Sequence, residues 1–128
     1  MELSRYMKSV VDMDRASVVI CSLDHKIIYM NPAAIKRYEK RGGKELIGRS
    51  LLDCHNKHST EIIEKVVTWF GQSIENNMIY TYYNAKENKD VYMVALRDDN
   101  GTLIGYYEKH EYRDRERAKL YDFSRSLV

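Results

Sequence analysis

With 128 residues, 44% hydrophobic and 31% charged, the chain has the composition of one globular domain rather than of a disordered segment. Lys and Arg number 21 against 19 Asp and Glu, a net charge of +2 that excludes the polybasic footprint of a nucleic-acid binder. Nothing reads as a signal peptide or a membrane span, so a cytoplasmic protein of bacterial type is expected, its cysteines, Cys21 and Cys54, reduced.

Glu2 to Met13 comes first. Leu3, Tyr6, Met7, Val10 and Val11 fall at helical spacing and form one apolar stripe, with Glu2, Arg5, Lys8 and Asp12 on other faces. A helix this short is marginal alone. The stripe is expected to pack on the rest of the chain, on a second copy, or on both, which makes these five residues the candidate interface of a homodimer. The wealth of tyrosine, 11 against one Trp and two Phe, also favours half-buried strand faces and interfaces.

Ser17 to Ala34 reads as strand, turn, strand and capped helix. Val18-Val19-Ile20 is β-branched, Asp24-His25-Lys26 is a polar break, and Ile27-Ile28-Tyr29-Met30 is a second apolar run. Asn31 then caps a helix that Pro32 opens, running to about Lys40 before Gly42-Gly43. Asp24, Ile27, Tyr29, Asn31, Ala33 and Ala34 resemble the opening of PAS domains: an apolar strand, Asp, a turn, Ile-x-Tyr-x-Asn and Ala-Ala. Lys26 stands near the place of that family's usual turn glycine.

Lys44 to Ile47 forms one helical turn, and Gly48 sits where a left-handed residue would end it. Glu45-Leu46-Ile47-Gly48-Arg49 again resembles PAS domains, where it precedes the central loop. Ser59 is expected to cap the next and most hydrophobic helix, with Ile62, Ile63, Val66, Val67, Trp69 and Phe70 on a broad apolar face.

The last third reads as strands: Met78 to Tyr83, Val91 to Arg97, and Leu103 to His110 after the turn signal Asn100-Gly101. From Glu111 the charges interleave, with Ala118, Leu120, Tyr121 and Phe123 late. This resembles the exit helix through which PAS domains pass a signal to an effector. The chain would then be a stand-alone protein or a fragment of a larger one.

The expected fold is α+β and PAS-like: a five-stranded antiparallel sheet with helices on one face, plus an N-terminal amphipathic helix. The divisions are 1–14 for that helix, 15–112 for the PAS-like domain and 113–128 for the charged exit segment. The resemblance implies that the first two strands are central and that a pocket separates the long helix from the strands. Its candidate lining is Ile63, Val67, Tyr82, Met93 and Ala95, suited to a small apolar ligand that the Tyr82 hydroxyl could orient.

Chemistry is sparse. No nucleophile elbow, phosphate loop, kinase signature or metalloprotease helix occurs, so no catalytic residue is nominated. Cys54-His55-Asn56-Lys57-His58 lacks the second ligand pair of a zinc site and reads first as a surface loop that caps a helix. The Cys-His-x-x-x-Ser spacing also resembles a subset of bacterial PAS domains found beside hemerythrin-like domains. Flavin-binding PAS relatives carry a reactive cysteine where this chain has Leu51, so no flavin–cysteine adduct is expected. Haem would need an inward histidine. The long helix has none within it, which leaves His55 or His58, set in polar surroundings, as the only candidates. The resemblance implies a sensory or protein-interaction module without catalysis. Haem sensing and pure dimerisation are the alternatives.

Overall fold

The structure is a computed structural model, and residues 2–124 are described. Helix α1 (Leu3–Asp12) follows the apolar spacing of the sequence. Strands β1 (Val19–Ser22) and β2 (Ile27–Met30) pair antiparallel. The turn between them needs a left-handed residue, and His25 takes that role with φ 67° rather than Lys26. Its ring nitrogen Nδ1 bonds the Tyr106 hydroxyl at 2.8 Å, which holds the turn, while Lys26 is kept extended by a bridge to Ser50.

Helix α2 (Pro32–Arg37) starts as expected, with Asn31 accepting from the Ala34 amide at 3.0 Å. It stops short of Lys40. The chain tightens into 3-10 turns at Glu39–Arg41 and Gly43–Leu46. Gly42 (φ 127°) and Gly43 (φ 54°) reverse its direction and bring Leu46 into the core.

A third 3-10 turn (Leu51–Cys54) leads into α3 (Lys57–Gln72). The cap of α3 is Asn56, not Ser59: the Asn56 side chain accepts the Ser59 amide at 2.8 Å. Asparagine and serine are comparable caps, and Asn56 lies first in the chain.

Strands β3 (Met78–Asn84), β4 (Lys89–Arg97) and β5 (Leu103–Tyr112) complete a five-stranded antiparallel sheet in the order β2-β1-β5-β4-β3. The first two strands are therefore not both central. β2 is an edge, and β5 occupies the middle, since its ten residues pair with β1 on one side and β4 on the other. Gly105 makes the β1 pairing possible, because a Cβ there would collide with the Cys21 carbonyl oxygen.

Register decides the two faces. Ile27, Cys21, Tyr106 and Ala95 lie side by side, as do Met93 with Glu108 and Val91 with His110. The core forms on this inner face, where Ala34, Leu46, Ile63, Val66 and Phe70 pack on Cys21, Ile27, Met30, Met93 and Tyr106. The outer face carries Ile20, Tyr107, Val94 and Met78 in one row and Tyr80, Tyr92 and Lys109 in another.

The end of α1 sits on that outer face, where Tyr29 donates to Asp12. The Asn31 amide locks the approach, donating to the carbonyls of Val11 and Ala16 at 3.0 Å each. Along the rest of the stripe, Leu3, Tyr6, Met7 and Val10 are exposed and Val11 is half-buried.

No helix follows β5 among the described residues. Arg113 instead extends the β4–β5 pair, binding Asp90 at 2.6 Å and the Asn88 carbonyl through its amide at 2.9 Å. The charges beyond it offer no apolar stripe to bury, and Leu120, Tyr121 and Phe123 are exposed. Residues 125–128 of the expected exit segment lie outside the described residues.

Candidate functional site

Between the inner face, the start of α3 and the 3-10 segments lies a cavity of about 500 Å³. Its apolar wall comes from Val19, Ile27, Met30, Leu46, Ile63 and Met93. Of the residues nominated from sequence, Ile63, Tyr82 and Met93 line it. Val67 and Ala95 do not, and pack instead against the core cluster beside it. Val67 shares the face of Ile63 but lies one turn further along α3, against the core cluster rather than the cavity. Ala95 lies beside Tyr106, whose larger side chain fronts the cavity.

The Cys54-His55 stretch is not simply a surface loop. Cys54 and His55 both line the cavity, and the 3-10 turn before His55 directs it there. Its Nδ1 lies 2.8 Å from the Leu51 carbonyl oxygen. A carbonyl only accepts, so Nδ1 carries a proton, and Nε2 makes no hydrogen bond among the described residues. His58 is exposed on the first turn of α3 and is not part of the lining. No three His, Cys, Asp or Glu side chains among the described residues stand together as a metal site.

The polar floor comes from β5. Strand alternation puts Tyr106, Glu108 and His110 on the cavity face. The Tyr106 hydroxyl is engaged by His25, and burial, then the neighbouring Cys21, raises its pKa. Burial likewise pushes the Cys21 thiol up to about 11. His110 is 5% exposed, its Nε2 lies 3.4 Å from Glu108, and its Nδ1 has no partner among the described residues. Burial, helped by the charges of Lys89 and Arg37, lowers its pKa to about 4, so the ring is neutral at pH 7. Burial also raises the pKa of Glu108, against the pull of His55, Lys89 and Arg37.

Beside this floor stands an ion network. Arg37 of α2 grips Glu87 with two 2.7 Å bonds, and Lys89, 1% exposed, reaches the same carboxylate at 3.2 Å. The Arg37 bond is the main cause that holds Glu87 at about 2. Sequence reasoning missed Glu108 and His110. The signal was present in the alternation of β5, where Tyr106, Glu108 and His110 share one face, but nothing in the chain marks that face as the inner one.

No protein-family model and no curated protein matches this chain. Solved structures do. The PAS domain of a protein from Colwellia psychrerythraea superposes with a TM-score of 0.63 at 14% identity, over 88% of this chain and 98% of that one. The PAS domain of BvgS from Bordetella pertussis gives 0.55 at 12% identity, over 91% and 90%. The Aer2 receptor of Vibrio cholerae, a dual PAS-haem oxygen sensor, gives 0.53 at 16% identity, over 73% and 90%. The chain has a PAS-like α+β fold.

Proposed function

We propose that this PAS-fold chain is a sensory or protein-interaction module that binds a small ligand in the inner cavity and relays its occupancy, without a reaction of its own. The cavity carries the reading. Its volume of about 500 Å³ falls in the ordinary range for small-molecule sites, and a mostly apolar wall meets a few polar groups on β5. The relay is a shift between two states of the sheet and the terminal segments. Asn31 supports that route, because one buried side chain ties β1 and α2 to the end of α1. An effector protein or domain would read the terminal segments. A cytoplasmic setting fits, and no described helix is long and apolar enough to cross a membrane. Mass spectrometry of small molecules extracted from the purified protein, with a visible absorption spectrum, tests this. A stoichiometric extract is expected; an empty protein that also takes up no small probe would overturn it.

Haem is the second reading, favoured by His55. With Nδ1 committed to Leu51, its Nε2 could hold the iron, and the porphyrin would need the apolar wall. Bound there, haem would supply gas or redox sensing. Haemin titration decides it: a sharp, saturating Soret band lost in His55→Ala but kept in His58→Ala supports haem, and a broad non-saturating band refutes it.

The same module is proposed to be a homodimer with α1 in or beside the interface. Four exposed apolar side chains of α1, Leu3, Tyr6, Met7 and Val10, support this, as does the apolar row on the neighbouring outer sheet face. Dimerisation without a ligand is the remaining alternative.

A further inference from the structure

Taking the inner cavity as a ligand site, we infer that it selects a small organic cation: a protonated amine on an apolar body, its nitrogen donating to the Glu108 carboxylate. The argument rests on what surrounds that carboxylate. Glu108 lines the cavity, and its side chain remains 39% exposed, so an occupant can reach it. It accepts no hydrogen bond from any described residue, and its one ion-pair contact among them is to His110 Nε2 at 3.4 Å.

No nearby basic group makes a short hydrogen bond to it, although His55, Lys89 and Arg37 act on it through space. His110 is neutral, and its Nε2 contact is too long for a strong hydrogen bond. His55 turns its Nδ1 to the Leu51 carbonyl and makes no hydrogen bond to Glu108. Lys89 and Arg37 are both held by Glu87. Among the described residues this partly exposed carboxylate has no hydrogen-bond donor, and a ligand ammonium is the partner that fits it.

The walls suit the same class. Tyr38, Tyr82 and Tyr106 line the cavity together with Glu108. Burial first, and the Glu108 charge next, raise the Tyr38 and Tyr82 pKa values, which shows both phenols within its electrostatic reach. Tyrosine faces and a carboxylate around one space favour a cation with apolar substituents. Arg41, at the exposed rim, is the competing feature, since it would draw an anionic head group instead.

Three probes of one shape separate these cases: 2-phenylethylamine, 2-phenylethanol and 3-phenylpropionate, titrated into the purified full chain by calorimetry. The amine is expected to bind at least tenfold more tightly than the alcohol. Glu108→Gln should remove that preference and leave alcohol binding in place, with a melting curve to show that the variant is folded. Glu108→Asp should keep part of it. The ratio in the unmodified protein decides the matter even if both variants unfold. Equal binding of amine and alcohol overturns the cation class but leaves the cavity reading standing. Tighter binding of the propionate overturns it in favour of Arg41. Failure of all three probes overturns both.

Discussion

At the residue scale, Asn31 does more than its sequence role as a helix cap. It is fully buried, and its Oδ1 accepts the amides of Val18 and Ala34 while its Nδ2 donates to the carbonyls of Val11 and Ala16. Both lobes of the amide are used, so no other side chain of that size substitutes. Asn31→Ala removes the cap and strands the buried Val18 amide, a combined cost of roughly 3 kcal/mol. Asn31→Asp keeps the acceptors but turns a carboxylate toward the carbonyls, and should destabilise as well. Chemical denaturation of both variants checks this; a loss below about 1 kcal/mol in Asn31→Ala would show that water takes over these bonds. The cap was legible because Asn-Pro is a local signal. The bonds to Val11 and Ala16 were not, because they depend on how α1 returns to the sheet.

At the scale of elements, α3 ends without a glycine cap; Gly71 lies in its last turn and Ser73 follows in an extended conformation. Of its closing carbonyls, that of Trp69 takes the Asn76 amide at 2.8 Å and that of Phe70 is satisfied from β4. Arg97 donates to Phe70 at 2.8 Å, Ser73 at 3.1 Å and Asn76 at 3.2 Å, and also to Asn77 Oδ1 at 2.7 Å and the Gly101 carbonyl at 3.0 Å. One guanidinium thus fastens the helix end, the following loop and the β4–β5 turn. Arg97→Ala should cost about 2 kcal/mol, and Arg97→Lys should recover little of it because an ammonium lacks the fork. Hydrogen exchange should quicken in the last turn of α3 first; unchanged exchange there would refute the clamp. α1 sets the opposite case. Tyr6 and Val10 are 62% and 69% exposed, so Tyr6→Glu with Val10→Glu should leave melting of the isolated chain nearly unchanged. Light scattering is expected to give about twice the chain mass, falling to one chain in the double variant, and a monomer at high concentration would refute the dimer.

At the scale of the whole molecule, period and punctuation carried the elements: the α1 stripe, the Asn-Pro start of α2 and the five strands could all be read in the chain. Strand order could not, since pairing β5 between β1 and β4 is set by length and by the missing side chain at Gly105. The candidate site was legible in part, through Ile63, Met93 and the Tyr82 phenol. Its polar side depends on which face of β5 turns inward, and that same burial makes the molecule sensitive to acid. His110 is neutral in the folded protein, with a pKa near 4, against 6.5 when unfolded. Between these values the unfolded chain binds the extra proton, so stability is complete above pH 6.5 and declines as pH falls toward 4, by at most about 3 kcal/mol. Glu87, with a depressed pKa, acts in the same direction, but lower, from 4.5 down to about 2. Glu108 acts in the opposite direction: its raised pKa means that the folded state takes up a proton more readily, which offsets part of the loss in the lower part of the His110 window. Burial, with the help of the Lys89 and Arg37 charges, keeps the imidazole neutral. His110→Phe removes the titrating ring while keeping an apolar body of similar shape. Denaturation between pH 7 and 5 should then show a falling stability in the native chain and a nearly flat one in His110→Phe. An equal slope in both would place the acid sensitivity elsewhere.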